Sequence, residues 1–361
     1  MRSLLNFGTN SLKYMPIGIS KLTSLRRLDK FVVGGGVDGS NTGRLQLRGE
    51  CSIEGLCNVS HVDEAERLQL SNKKNLLRLH LQFGGKDEDW RNEEEEEEEG
   101  EVVDGEDEEG RRKNEKDKQL LEALQPPLNV EELWIIFYGG NIFPKWLTSL
   151  ANLRELNLSL CFNCEHLPQL GKLPLEKLQL KNLKSVKRVG NEFLGIEESS
   201  EDGPSSSSSS PSVIAFPKLK SLEIDGMKEL EEWNYRITRK ENISIMPRLS
   251  SLEVSSCNKL KALPDYLLQM TVLQNLRIFF CENMEELPIL EDHRTTDIPR
   301  LSSLRIGYCP KLKVLPDCLL RTTTLQKLTI WGCPLLENRY REGKGEDWHK
   351  ISHIPHIKWS P

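Results

Sequence analysis

Apolar residues recur along this chain at one fixed set of offsets. Around residue 304 the order is Leu301, Leu304, Ile306, Cys309 and Leu312, followed by Leu315-Pro316. The same offsets occur at Leu249, Leu252, Val254, Cys257, Leu260 and Leu263-Pro264. They return at Leu273, Leu276, Ile278, Cys281, Met284 and Leu287-Pro288, and at Leu325, Leu328, Ile330, Cys333 and Leu336. Upstream, Leu153, Leu156, Leu158, Cys161 and Leu167-Pro168 fit, with Cys164 where the next Leu belongs. Leu219, Leu222, Ile224, Met227 and Leu230 fit with Met227 in the cysteine position. Two apolar residues separated by one polar residue predict a short strand with one buried face. Leu304 and Ile306 therefore point inward and Arg305 outward. The Cys that closes each strand predicts a small buried group that bonds backbone atoms as the chain leaves the ladder.

From Leu252 to Leu276 to Leu304 to Leu328 the spacing is 24, 28 and 24 residues. Period and offsets together read as leucine-rich repeats. One coil cannot bury its apolar face alone, so coils stack and their strands align in parallel. The expected fold is α/β. It is a curved, horseshoe-like solenoid, with parallel strands on the concave face and short helices or irregular coil on the convex face. Unrelated amphipathic elements would not place Cys161, Cys257, Cys281, Cys309 and Cys333 at one register.

The pattern divides the chain into six stretches. Residues 1–83 read as N-terminal repeats, with Leu12-Lys13-Tyr14-Met15-Pro16 closing one coil and Leu22, Leu25, Leu28 and Phe31 opening another. No polar cap precedes Leu4, so the array is expected to start inside a longer one. Residues 34–43 form a Gly-rich surface loop. Residues 84–118 hold 18 acidic and 7 basic side chains, including seven consecutive Glu, Glu93 to Glu99. This stretch is expected to be disordered. Residues 119–194 return to repeats. They start with a short helix at Leu120, Leu121 and Leu124 and include an aromatic turn from Tyr138 to Leu147 that buries Phe143 and Trp146. Residues 195–215, with Ser205 to Ser210 unbroken, read as a flexible insertion. Residues 216–337 are the regular repeats, and 338–361 form a tail that caps the last coil. The charge follows this division. Of the net −6, the first insertion carries −11 and the second −4, leaving +9 on the rest.

Candidate chemistry changes the picture little. The nine cysteines are an odd number, and five belong to the repeat register. No disulfide framework is implied, and a reducing, cytoplasmic setting fits. The first residues lack the apolar core of a secretory signal, and no apolar run is long enough to span a membrane. No Gly-Lys is followed by Ser or Thr, so no phosphate-binding loop is present. His349, His353 and His356 fall at helical spacing, but Pro355 interrupts any such helix. The pair Cys161 and Cys164 lacks the second pair that zinc requires. No catalytic constellation appears, so no enzyme, cofactor or metal is expected, and no nucleic-acid partner. Binding remains. The outward strand positions run from acidic (Glu223, Asp225, Glu253) to basic and aromatic (Arg277, Phe279, Arg305, Trp331). The last four are the candidate protein-binding residues, because Arg and aromatic side chains are common anchors.

Several phrases resemble one family, the C-terminal repeat region of plant intracellular coiled-coil, nucleotide-binding, leucine-rich-repeat disease resistance proteins. They are Leu12 to Pro16 with Leu22-Thr23-Ser24-Leu25 and Phe31-Val32-Val33; Tyr138-Gly139-Gly140 with Phe143 to Leu147; the serial strands ending in Cys; and Gly345-Glu346-Asp347-Trp348 with Ile351 to Pro355. The resemblance implies a non-enzymatic module that restrains a nucleotide-binding switch and helps recognise pathogen effectors. Its partners would be an effector or the nucleotide-binding domain of its own receptor family. The chain departs from the family in lacking a phosphate loop and a signalling domain. The alternative is a stand-alone repeat adaptor, such as a substrate receptor of a ubiquitin ligase, although no ligase-docking helix precedes Leu12.

Overall fold

The structure is a computed structural model. It describes residues 2–6, 9, 12, 15, 18–33, 44–84, 108–196, 213–234, 243–264, 266–267, 270–288, 300–320 and 322–359. The Gly-rich loop, the Glu93 to Glu99 run and the Ser205 to Ser210 run lie outside the described residues. The chain forms two compact units, Met1–Cys164 and Glu165–Pro361.

In the first unit, five strands lie side by side in parallel and in chain order. They are β1 (Lys30–Val32), β2 (Arg48–Glu54), β3 (Asn75–Gln82), β4 (Glu132–Ile136) and β5 (Glu155–Ser159). Period-two patterning sets the register. Leu79, Leu133 and Leu156 form one row, Leu81, Ile135 and Leu158 the next, and both rows are buried. A short helix, α1 (Val62–Glu66), follows β2, and the Glu64 carboxylate accepts from the His61 N–H at 3.2 Å.

The helix α2 (Glu108–Ala123) corrects the expected disorder at residues 108–118; residues 85–107 of that stretch lie outside the described residues. Its first turns are built from the charged residues that suggested an unfolded segment. Some of those charges pair along the helix, Arg112 with Glu108 at 3.2 Å and Lys118 with Glu115 at 3.6 Å. Such exposed pairs contribute only a few tenths of a kcal/mol each, roughly, so tertiary anchoring decides. The buried Asp117 carboxylate accepts from the Gly139 N–H at 3.0 Å. Lys116 donates to the Cys57 carbonyl at 3.1 Å, and the Trp146 indole N–H donates to the Leu121 carbonyl at 3.2 Å. Composition read the segment as a solvated run; its docking against a buried turn makes it a helix.

That turn is the aromatic phrase. Tyr138 is buried, its hydroxyl donates to the Ile142 carbonyl at 2.6 Å, and its ring lies 5.3 Å from both Phe83 and Phe143. Trp146 is buried as expected, whereas Phe143 is only half-buried. Gly139 permits the approach of α2. A Cβ there would lie 2.9 Å from an Asp117 carboxylate oxygen and 2.8 Å from the Asn114 side-chain oxygen.

A buried cation also sits in this unit. The Lys73 ammonium donates to the Leu45 carbonyl at 2.9 Å. Burial lowers its pKa to about 8. A folded pKa below the unfolded value of 10.5 means that the unfolded chain binds more protons between these values. Stability should therefore rise with pH from about 8 to 10.5. Lys73→Met should raise stability at pH 7 by about 1–2 kcal/mol, net of the lost hydrogen bond. It should also flatten that rise, as checked by thermal unfolding at pH 7 and pH 10.

The second unit contains seven parallel strands in chain order. They are β6 (Lys177–Lys181), β7 (Ser221–Asp225), β8 (Ser251–Ser255), β9 (Asn275–Phe279), β10 (Ser303–Gly307), β11 (Lys327–Trp331) and β12 (His356–Lys358). Leu252, Leu276, Leu304 and Leu328 stand in one buried row, and Val254, Ile278, Ile306 and Ile330 in another. The tail adds β12 to this ladder after two helices, α3 (Pro334–Arg339) and α4 (Trp348–Ile351). Because α4 ends at Ile351, His353 and His356 leave the helical spacing with His349. Among the described residues no group of three His, Cys, Asp or Glu is placed to hold a metal.

Each strand in these rows ends in the same way. The residue after it takes a left-handed backbone, as at Phe137, Asn182, Ser256, Phe280 and Tyr308, or is Gly226 or Gly332. Its N–H continues the ladder, for example Phe280 to the Gly307 carbonyl at 3.0 Å and Tyr308 to the Trp331 carbonyl at 2.9 Å. Where the next residue but one after the strand is the register Cys, its buried thiol donates to the last carbonyl of its own strand. The distances are 3.3 Å for Cys257, Cys281 and Cys333 and 3.4 Å for Cys161 and Cys309. The cysteine register thus satisfies the turn, and burial keeps the Cys257 thiol protonated by pushing its pKa up to about 12.

Candidate protein-recognition surface

The outward residues of β6 to β11 form the candidate surface. Its acidic members are matched from within. Glu223 accepts from Gln179 at 2.5 Å and from Lys181 at 2.7 Å. Burial alone would raise its pKa, but those bonds outweigh it and hold the carboxyl below its ordinary range. Asp225 accepts from the Ser255 hydroxyl at 2.6 Å, and Glu253 pairs with Arg277 at 3.1 Å. The acidic end read from the sequence is therefore largely spoken for, and Arg277 with it.

Phe279, Arg305 and Trp331 come together. Strand pairing puts Phe279, Gly307 and Trp331 in one cross-strand row, with Gly307 in the middle. No side chain stands at Gly307, so the rings lean over it and their centroids are 5.1 Å apart. The Arg305 guanidinium lies 5.9 Å from the Phe279 centroid and 5.8 Å from that of Trp331. This is cation–π range, and both rings pre-order the cation. Among the described residues Arg305 has no carboxylate partner. A half-buried cation lying over two rings attracts a carboxylate or phosphate in a forked geometry.

Two further aromatics extend the patch beyond the strand ends. Phe280 is 50% exposed and Tyr308 48% exposed. They stack with centroids 4.7 Å apart at 8°, and Tyr308 meets Trp331 edge-on at 6.4 Å. Large exposed apolar side chains packed on one another mark interaction surfaces. The alternation rule missed both, because each falls after its strand, where inward and outward no longer alternate. The signal was nonetheless present. The two positions before the register Cys read Phe-Phe, Gly-Tyr and Trp-Gly in three successive repeats.

Gly307 is the structural requirement of the patch. A Cβ there would lie 2.4 Å from the Trp331 indole. Gly307→Ala should displace the indole while leaving the fold intact, at a cost of roughly 1–3 kcal/mol. Near-ultraviolet circular dichroism together with unfolding would check both parts.

Residues 42–183 match the family described as R13L1/DRL21 LRRs. The chain is 30% identical over 411 residues, covering 95% of its length, to the putative disease resistance protein RGA4 of Solanum bulbocastanum. It is 32% identical over 391 residues, covering 93%, to disease resistance protein RGA2 of the same species. It is a leucine-rich-repeat region of the plant disease resistance protein family. The chain spans only 38% and 36% of those relatives' lengths. The leucine-rich repeat domain of the type III effector XopL is 17% identical, with 63% of this chain and 75% of that chain covered and a TM-score of 0.33. The repeat fold and the disease resistance relatives point to a non-catalytic recognition module. The family match takes in α2 and the Tyr138 turn but ends before the aromatic patch. Among the described residues no helix is long and apolar enough to cross a membrane.

Proposed function

We propose that this region is the protein-recognition surface of a cytoplasmic plant immune receptor. In that reading it holds an acidic segment of a protein partner on the patch formed by Phe279, Phe280, Arg305, Tyr308 and Trp331. The partner is a pathogen effector, or the nucleotide-binding domain of the receptor to which the region belongs, whose switch it restrains. One observation carries the reading: Arg305 lies over two neighbouring rings with no carboxylate partner among the described residues, while the neighbouring acids and Arg277 are paired. No catalytic role is assigned to it.

A photo-cross-linking residue placed at Phe280, or at the exposed Val272 away from the strand ends, tests this in plant cells. A protein adduct formed from position 280 and lost with Arg305→Ala is expected. Adducts from position 272 alone, or insensitive to Arg305→Ala, would overturn it.

A further inference from the structure

The first unit carries a cluster of cations that is mostly unmatched. Arg2, Arg26, Arg27, Arg48 and Arg78 line one cleft of about 460 Å³ together with Asp29 and Glu50. The backbone ladder sets their spacing. The Arg26 N–H donates to the Arg2 carbonyl at 2.8 Å, and the Arg48 N–H donates to the Arg26 carbonyl at 2.8 Å. Arg2, Arg26 and Arg48 thus occupy matching places on consecutive rungs, about 4.8 Å apart. Like charges directly opposite one another destabilise a sheet. Only Arg78 is compensated, by Glu50 at 3.3 Å. Among the described residues the other four arginines make no ion pair. A second observation points the same way: Arg26 Nη1 is buried and has no hydrogen-bond partner. Leaving a buried charged donor unpaired is costly, so Arg26 favours a bound acceptor.

We propose that this cleft binds a small phosphate-bearing anion. Arginine forks match phosphate oxygens in pairs, and several forks converge here on one space. The cleft lies within the size range of small-ligand sites. A flat acidic protein surface would meet the exposed arginines one at a time, whereas a small phosphate-bearing anion can enter the cleft and meet several at once. The anion is either a free polyphosphate or the headgroup of a phosphorylated lipid, since both present the same oxygens.

The full chain is titrated by calorimetry with inorganic pyrophosphate and with inositol hexakisphosphate. Co-sedimentation uses phosphatidylcholine vesicles with and without a phosphatidylinositol phosphate. Saturable binding that weakens with salt is expected for at least one probe. Arg26→Gln with Arg48→Gln should weaken it tenfold or more. Arg248→Gln with Arg341→Gln, which removes the same charge from exposed positions elsewhere, should change it less than twofold. Binding to soluble probes assigns a free ligand, and binding to phosphorylated vesicles alone assigns a headgroup. Arg26→Lys with Arg48→Lys keeps charge without the fork and serves if the Gln pair fails to fold; it should also weaken binding. No saturable binding to any probe, or equal loss in the two Gln pairs, would overturn the proposal.

Discussion

Replacing Tyr138 with Ala should destabilise the first unit by roughly 3–5 kcal/mol, the cost of deleting a large buried aromatic. The side chain is fully buried, contacts Phe83 and Phe143 through its ring, and ties the Ile142 carbonyl through its hydroxyl. The loss should spread, because Gly139, next in the chain, donates to Asp117 of α2. Without a fixed turn that donor is no longer presented, and the charged first turns of α2 lose an anchor that the Lys116 bond to the Cys57 carbonyl and the buried Leu120 and Leu121 further along do not replace. Tyr138→Phe keeps the ring and should cost about 1 kcal/mol, the worth of one hydrogen bond. Urea unfolding gives both magnitudes. Hydrogen exchange should show residues 108–118 losing protection in the Ala variant and keeping it in the Phe variant. Protection of α2 that survives Tyr138→Ala would mean that the helix is held by something other than this turn.

Arg305→Ala and Trp331→Ala should each weaken the proposed protein complex by roughly 1–3 kcal/mol, about 5- to 150-fold, if the patch is the recognition site. They share one contact, Arg305 over the Trp331 ring, so their effects should add to less than the sum. Both side chains project outward from strands whose inward neighbours, Leu304, Ile306, Leu328 and Ile330, form the core. Stability should therefore change little. Truncating Leu304 instead would cost about 2–5 kcal/mol by opening a cavity and would confuse binding with folding. Arg277→Ala should weaken binding less, since its guanidinium already serves Glu253.

Much of the fold was legible because the rule behind it is simple. Alternation at Leu304 and Ile306 told which face is buried, and the recurrence of Cys at one offset told where each coil turns. The bonds from Cys257, Cys281, Cys309 and Cys333 to their strand-end carbonyls are the physical content of that offset. Helix α2 was not legible. Charge content describes a segment in water, and Asp117 leaves water only because Gly139, 22 residues later, offers it a donor. At the candidate surface, the outward places of Phe279, Arg305 and Trp331 followed from alternation, but the pairing of Arg277 with Glu253 depends on rotamers. The role of Gly307 was also hidden, because a missing side chain shows only once the rings that cover it are placed.

Hydrogen exchange on the free chain and on its complex with a cross-linked partner tests the central claim most directly. Binding should add protection at residues 277–281, 303–309 and 327–333, where the Phe279, Arg305 and Trp331 strands end. Protection confined to other parts of the second unit, with these three stretches exchanging as in the free chain, would contradict it.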